Sequence, residues 1–389
     1  MTFLLLSIAL AEPNMAPRPV TTNDITFKPG SGLKITSHDD EFNLELRLRS
    51  QMLYTLDQED PAQEWTQGMQ IRRARLSFKG NVFGSHNKYK FELAVSPKDI
   101  GLKPMEGLSR SPLLDYYFHF DHLKNLNLRM GQYKVPYSRQ RVVSSGNLQM
   151  VDRSLANAEF NLDRDIGLDL RSKNLFSQDM FRYHLGIFMG EGHSSYQNST
   201  FDFLYLGRLE VLPFGSFADY SESNLTKSSK PKLSIGMAFA FIDEAKRNSG
   251  IIGDIPLDGG TTDIWNATGD LSYRQDSFSF DGAIFWREGQ RNTEEINATQ
   301  IEAPRNGLGY YAQMGVLLPR QMEISGRYGK VIPISDESSL DESNELGFGV
   351  NRYMAKHSFK MQMDYFRLWT LDEFNDGRNR VRFQIQMAY

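Results

Sequence analysis

From residue 42 to the C-terminus the chain is built of short stretches in which apolar and polar side chains alternate, and nothing else restricts its fold as much. Phe42, Leu44, Leu46 and Leu48 alternate with Asn43, Glu45, Arg47 and Arg49. Near the end Val381, Phe383, Ile385, Met387 and Tyr389 alternate with Arg382, Gln384, Gln386 and Ala388. A period of two sends neighbouring side chains to opposite faces of a strand; a helix needs 3.6. Sixteen strands are predicted, at roughly 42–54, 69–82, 87–96, 113–121, 124–134, 164–173, 180–190, 201–212, 231–242, 262–275, 277–288, 306–318, 320–331, 344–353, 356–370 and 379–389. Most are about 10 residues long, the length with which a tilted strand crosses a bilayer.

The connections sharpen this reading because they alternate in length. Asn81–His86, His122–Leu123, Gln275–Ser277, Pro319–Arg320 and Ala355–Lys356 are short. Thr55–Gly68, Pro97–Pro112, Val135–Asp163, Glu191–Thr200, Asp243–Thr261, Gly289–Arg305, Ile332–Ser343 and Leu371–Arg378 are long. Pro213–Lys230 alone is long where the pattern wants a short turn. A soluble sandwich has no reason to sort loop lengths by parity. A membrane barrel does, with short turns at one end and long loops at the other. The predicted fold is all-β: a 16-stranded antiparallel transmembrane β-barrel with an inward-folded third loop. Tyr54, Phe83, Tyr133, Phe214, Trp286 and Trp369 lie near strand ends, where interfacial girdles place aromatic residues.

The N-terminus reads as targeting sequence. Phe3–Leu10 is apolar, and Ala9-Leu10-Ala11 resembles a signal-peptidase site, so residues 1–11 are expected to be a signal peptide whose true start lies upstream. Residues 12–41 are expected to be a periplasmic lead-in and 42–389 the barrel, in the outer membrane of a Gram-negative bacterium. Charge is nearly balanced, 44 Lys+Arg against 48 Asp+Glu, and suggests no nucleic-acid partner. There is no cysteine, so thiolate metal sites and cysteine nucleophiles are excluded. No phosphate-loop, zincin or EF-hand spacing appears; no catalytic residue, metal or cofactor is expected. His119, near Asp115 and Asp121, is read as a hydrogen-bonded lumen histidine.

Charge is placed unevenly. With the apolar face of each strand given to lipid, Arg73, Arg75 and Lys79 fall on the lumen face of the second predicted strand, with Lys88 and Lys90 beside them on the third. Arg129, Arg380 and Arg382 join them, and so do the acids Asp115, Asp121, Asp169, Asp270 and Asp364. By the same parity Arg72 points outward with Ala74 and Leu76. The first long loop carries Asp57, Glu59, Asp60 and Glu64 and no base. Such a run is read as a solvated face, with calcium or lipopolysaccharide bridging as the alternative. The third loop, 135–163, carries Arg139, Arg141 and Arg153 with Asp152, Glu159 and Asp163, flanked by Lys134 and Arg164. Folded inward, it narrows an otherwise wide channel. Arginine's planar fork suits oxyanions, and a conducting site works best as several moderate sites in a row.

The chain resembles the phosphate-selective porin family (porins O and P). The matching stretches, in the family's order, are Ile71-Arg72-Arg73-Ala74-Arg75-Leu76, Lys88-Tyr89-Lys90-Phe91, Leu114-Asp115-Tyr116-Tyr117, Met130 to Tyr137, and Arg164-Asp165-Ile166-Gly167-Leu168. The resemblance implies a homotrimer giving passive, anion-preferring diffusion of phosphate or phosphoanions, with no enzymatic activity. Arg72, Arg73, Lys88 and Lys134 are the residues carried over by match. Arg75, Lys79, Arg139, Arg141, Arg153 and Arg164 complete the candidate anion-binding set. Other partners expected are outer-membrane lipid and lipopolysaccharide. A general or other-substrate porin, or a structural or adhesive outer-membrane barrel, remains the alternative.

Overall fold

The computed structural model describes residues 22–101, 111–194, 201–292 and 301–389; the expected signal peptide and the first part of the lead-in lie outside them. Two strands precede the barrel, β1 (Thr22–Lys28) and β2 (Gly32–Ser37). Sixteen follow: β3 (Asn43–Gln58), β4 (Thr66–Asn81), β5 (Asn87–Ala94), β6 (Leu113–Leu123), β7 (Leu126–Lys134), β8 (Arg164–Leu175), β9 (Phe181–Phe188) and β10 (Leu204–Val211), then β11 (Lys232–Ala245), β12 (Thr261–Gln275), β13 (Phe278–Asn292), β14 (Gly307–Leu318), β15 (Met322–Pro333), β16 (Ser343–Ala355), β17 (Phe359–Thr370) and β18 (Arg378–Ala388). Each expected strand is present. The first two run further outward than the alternation suggested, which shortens the first long loop to residues 59–65.

Every pairing is antiparallel between chain neighbours, and β18 closes on β3 from Asn379↔Gln58 to Ala388↔Arg49. The barrel therefore has sixteen strands and no open edge. The β1–β2 hairpin, inside the expected lead-in 12–41, pairs with the first residues of β3 through Thr36↔Asn43 and Leu33↔Leu46. It extends the wall at the end that carries the short turns.

Burial is inverted relative to a water-soluble protein. Met237 (69% exposed), Ile284 (66%) and Leu209 (62%) face outward, while Glu323, Lys360 and Gln313 are fully buried inside. Only a bilayer makes that distribution favourable, because a cation on the outer face costs about 2–4 kcal/mol at mid-membrane. Among the described residues no helix is long and apolar enough to cross a membrane. One expected girdle residue is misplaced. Tyr133 is 2% exposed and donates its hydroxyl to Asp169 Oδ1 at 2.6 Å on the polar face. A terminal position in a strand does not fix which face a residue takes.

Candidate anion pathway

The first site residues sit at a break in the ladder. Gln51 pairs with Arg73, but the next residue, Met52, pairs with Ile71, so Arg72 is the extra residue of a β-bulge. Below the bulge Ala74, Leu76 and Phe78 face outward; above it Met69 and Ile71 do, at 68% and 51% exposure. Parity counted straight through the strand put Arg72 outward with Ala74. The bulge instead turns it inward beside Arg73. Both guanidinium groups reach Asp152 Oδ1 at 3.1 Å, and Arg382 Nη1 reaches Oδ2 at 3.1 Å. Burial alone would raise the Asp152 carboxyl, but Arg73, Arg72 and Arg382 outweigh it and hold the group below the usual carboxylate range.

Asp152 belongs to the connection 135–163, whose successive residues bond to the polar faces of successive strands. Ser145 O accepts from Gln51 on β3 at 3.1 Å, Gly146 O from Gln386 on β18 at 3.1 Å, and Leu148 O from Lys360 on β17 at 2.7 Å. Gln149 O accepts from Asn351 on β16 at 2.8 Å, and its side chain donates to Glu323 on β15 at 2.7 Å and Ser279 on β13 at 3.0 Å. The return path includes two short helices, α1 (Arg139–Val142), nearer the start, and α2 (Leu155–Phe160), with Ser138 and Ser154 as their side-chain caps. Glycines on the wall make room. A Cβ at Gly309 would lie 2.5 Å from the Phe160 ring, and one at Gly349 2.7 Å from Met150 Sδ.

The cavities at both ends of the lumen are strongly basic. At the long-loop end two adjoining cavities of about 480 and 370 Å³ share Arg72, Asp152, Arg380 and Arg382. Their walls add Arg73, Lys98, Arg141, Arg153 and Arg327, against the acids Asp57 and Glu345. At the short-turn end a cavity of about 300 Å³ is lined by Lys79, Lys88, Lys90, Arg129 and Lys173, with Glu45 as its one acid. Both ends share β3 and β4. Between them the inward face of those two strands carries Arg47, Arg49, Arg73 and Arg75. The row therefore follows one wall for about 45 Å of strand.

The ten residues expected from sequence divide by position. Arg72, Arg73, Arg141 and Arg153 line the outer cavities; Lys79 and Lys88 line the inner one. Arg75 stands between, bonded to Asp99 at 2.6 Å and Glu92 at 3.1 Å. The other three sit in none of these cavities. Lys134 donates to the carbonyl of Arg141 at 2.7 Å, Arg164 to Asp115 at 2.6 Å, and Arg139 to Asp270 and Asp219, each at 2.6 Å. Lys98, Lys173 and Arg327 were missed. Lys173 shares the parity of Asp169 and Arg171 on β8, so the same count would have found it. Arg129 stacks 4.1 Å from the Tyr117 ring, and among the described residues neither it nor Arg47 is bonded to a carboxylate.

Residues 42–366 match the family described as phosphate-selective porin O and P. No curated protein matches the chain. Among solved structures it is similar to an anion-selective porin from Comamonas acidovorans, with a TM-score of 0.63 and 12% identity over 90% of this chain and 100% of that one. It is also similar to a loop-deletion mutant of OmpT, an outer membrane protein of Vibrio cholerae (TM-score 0.57, 10% identity, 90% and 100%). The outer membrane channel DcaP of Acinetobacter baumannii gives a TM-score of 0.56 at 11% identity over 91% and 99%.

Proposed function

The chain belongs to the phosphate-selective porin O and P family, and from that premise we propose that this outer-membrane porin passes anions, phosphate and phosphoanions among them, by passive diffusion along the β3–β4 wall. The observation that carries the reading is the pair of basic cavities joined by a row of arginines on one wall. Spread along the wall, these groups supply several moderate sites, which lets an anion enter without being trapped. Arg72, Arg73 and Arg382 each hold one oxygen of the Asp152 carboxylate, so the cluster is already arranged around an oxyanion. The short-turn end, with the termini and the β1–β2 hairpin, is periplasmic in this reading, and the long loops face outward. In this reading the porin is a homotrimer, and Glu59, Asp60 and Glu64 of the first loop form a solvated outer face toward the lipopolysaccharide.

Reversal potential of the purified protein in a planar bilayer under a potassium chloride gradient tests anion preference; a cation-selective value sinks it. Phosphate selectivity is narrower. Millimolar phosphate should reduce chloride current, and Arg73→Ala should weaken that block. A general porin gives neither result.

A further inference from the structure

We propose that the connection 212–231 is a second inward wall of the pore, which closes the β9–β17 side of the lumen at the short-turn end and confines permeation there to the β3–β8 side, with Glu222 as the positioning residue that ties it to the third loop. The inference rests on the porin reading and concerns the shape of its pathway.

The segment breaks the alternation of connections. The other connections at its end, 82–86, 124–125, 176–180, 276–277, 319–321 and 356–358, have at most 5 residues, whereas this one runs from 212 to 231. It does not hang below the barrel. Its two roots are β10 and β11, yet Ser221 Oγ lies 3.0 Å from His357 Nε2 in the turn between β16 and β17, six strands round the wall. On the way Asn224 donates to Asp276 O at 2.8 Å, and Ser223 to Glu323 Oε2 at 2.8 Å. A segment tied at those places spans the mouth of the barrel.

Glu222 joins it to the third loop. Its carboxylate accepts from the Gln149 amide at 2.7 Å and from the Gln140 side chain at 3.1 Å, and its own amide donates to Asn147 O at 3.2 Å. The group is 3% exposed and has no cation within ion-pair distance among the described residues. A buried carboxylate without a counter-ion is tolerated only when amide donors replace its water. Here those donors come from the third loop and, through Gln313, from the wall, so the charge is satisfied only while the two segments stay docked. The inner cavity lies clear of this wall, on β3 to β8 alone.

The absence of cysteine allows a direct test on the full chain in planar bilayers. Lys173→Cys, in the inner cavity, should react quickly with an anionic thiosulfonate reagent and lose current. Gln313→Cys, behind the wall and bonded to Gln149 and Glu222, should react at least tenfold more slowly. Equal rates at the two positions overturn the proposal. Replacing residues 214–229 by a short Gly-Asn-Gly turn should raise single-channel conductance about twofold, by opening a parallel aqueous path. It should also bring Gln313→Cys to the Lys173→Cys rate; a folded variant with unchanged conductance and labelling refutes the wall. If the parent chain shows no channel steps, the porin reading itself fails, which is a separate outcome.

Discussion

Replacing Asp152 by asparagine keeps the side-chain shape and removes the charge that Arg72, Arg73 and Arg382 share at 3.1 Å. Asp152 lines both outer cavities, so an ion crossing from one to the other passes about 6 Å from its carboxylate in this reading. At that distance a unit charge acts with about 0.7 kcal/mol in a water-like medium and about 2.8 kcal/mol at an effective dielectric constant near 20. The side chain is 27% exposed and the cavities are wet, so the lower figure applies. It corresponds to about a threefold gain in local chloride and a threefold loss of potassium, and so about a tenfold rise in the anion-to-cation permeability ratio. A doubly charged hydrogenphosphate gains about tenfold, so phosphate should block the chloride current at lower concentration. The assay is reversal potential under a potassium chloride gradient, with Glu337→Gln in an exposed outer loop as control. A reversal potential shared by the parent, Asp152→Asn and Glu337→Gln shows that ions do not pass Asp152 and refutes the pathway.

Three shorter predictions accompany it. Ile71→Lys places a cation on the lipid face beside the bulge and should destabilise the barrel by about 2–4 kcal/mol, read as a lower urea midpoint, whereas Arg72→Ala should move it little; the reverse order removes the bulge. Lys88→Ala with Lys173→Ala should reduce chloride conductance several-fold at 0.05 M salt and far less at 1 M, where charges are screened beyond about 3 Å; salt-independent loss points to collapse of the cavity. Asp152 stays ionised well below the ordinary carboxylate value of 3.8, so its ion pairs, complete above that value, are lost only as pH falls through the lowered one. The selectivity gap between the parent and Asp152→Asn should therefore persist at pH 3, where an ordinary carboxylate would be mostly protonated; its loss there means an ordinary, unpaired carboxylate.

The barrel was legible in the sequence because period-two alternation and loop length both follow from the bilayer. Each outward residue is chosen by lipid, and each long or short connection by the end it occupies. Arg73, Lys79 and Lys88 were legible for the same reason, since parity alone puts them inside. Arg72 was not, because a bulge inserts one residue without changing composition, and one residue is enough to reverse a face. Lys134, Arg139 and Arg164 show a different limit. A basic residue at the root of a loop is equally suited to bind a passing anion or to fasten the loop, and only its neighbours decide. Lys134 found backbone carbonyls, Arg139 found Asp270 and Asp219, and Arg164 found Asp115.

The same contrast explains how a chain of net charge −4 can carry a basic pathway. Charges are paired where the third loop and the connection 212–231 dock: Arg208 with Asp270, Arg139 with Asp219, Arg274 with Asp281 and Arg382 with Asp364. On the β3–β8 side Lys79, Lys88 and Lys90 also meet acids, but Arg47, Arg129 and Lys173 add to them. An ion buried in those docking contacts costs several kcal/mol unless a counter-charge or, as at Glu222, amide donors meet it, so docking favours partnered acids and bases. On the β3–β8 side no segment docks against the inner cavity, water supplies the solvation, and the balance is free to tilt. Excess cation there marks the wall left to solvent. The inner cavity thus sits where the two segments do not reach, whereas the third loop itself lines the outer cavities. That placement also explains why Arg47 and Arg129, without carboxylate partners among the described residues, lie on that side and not behind the third loop.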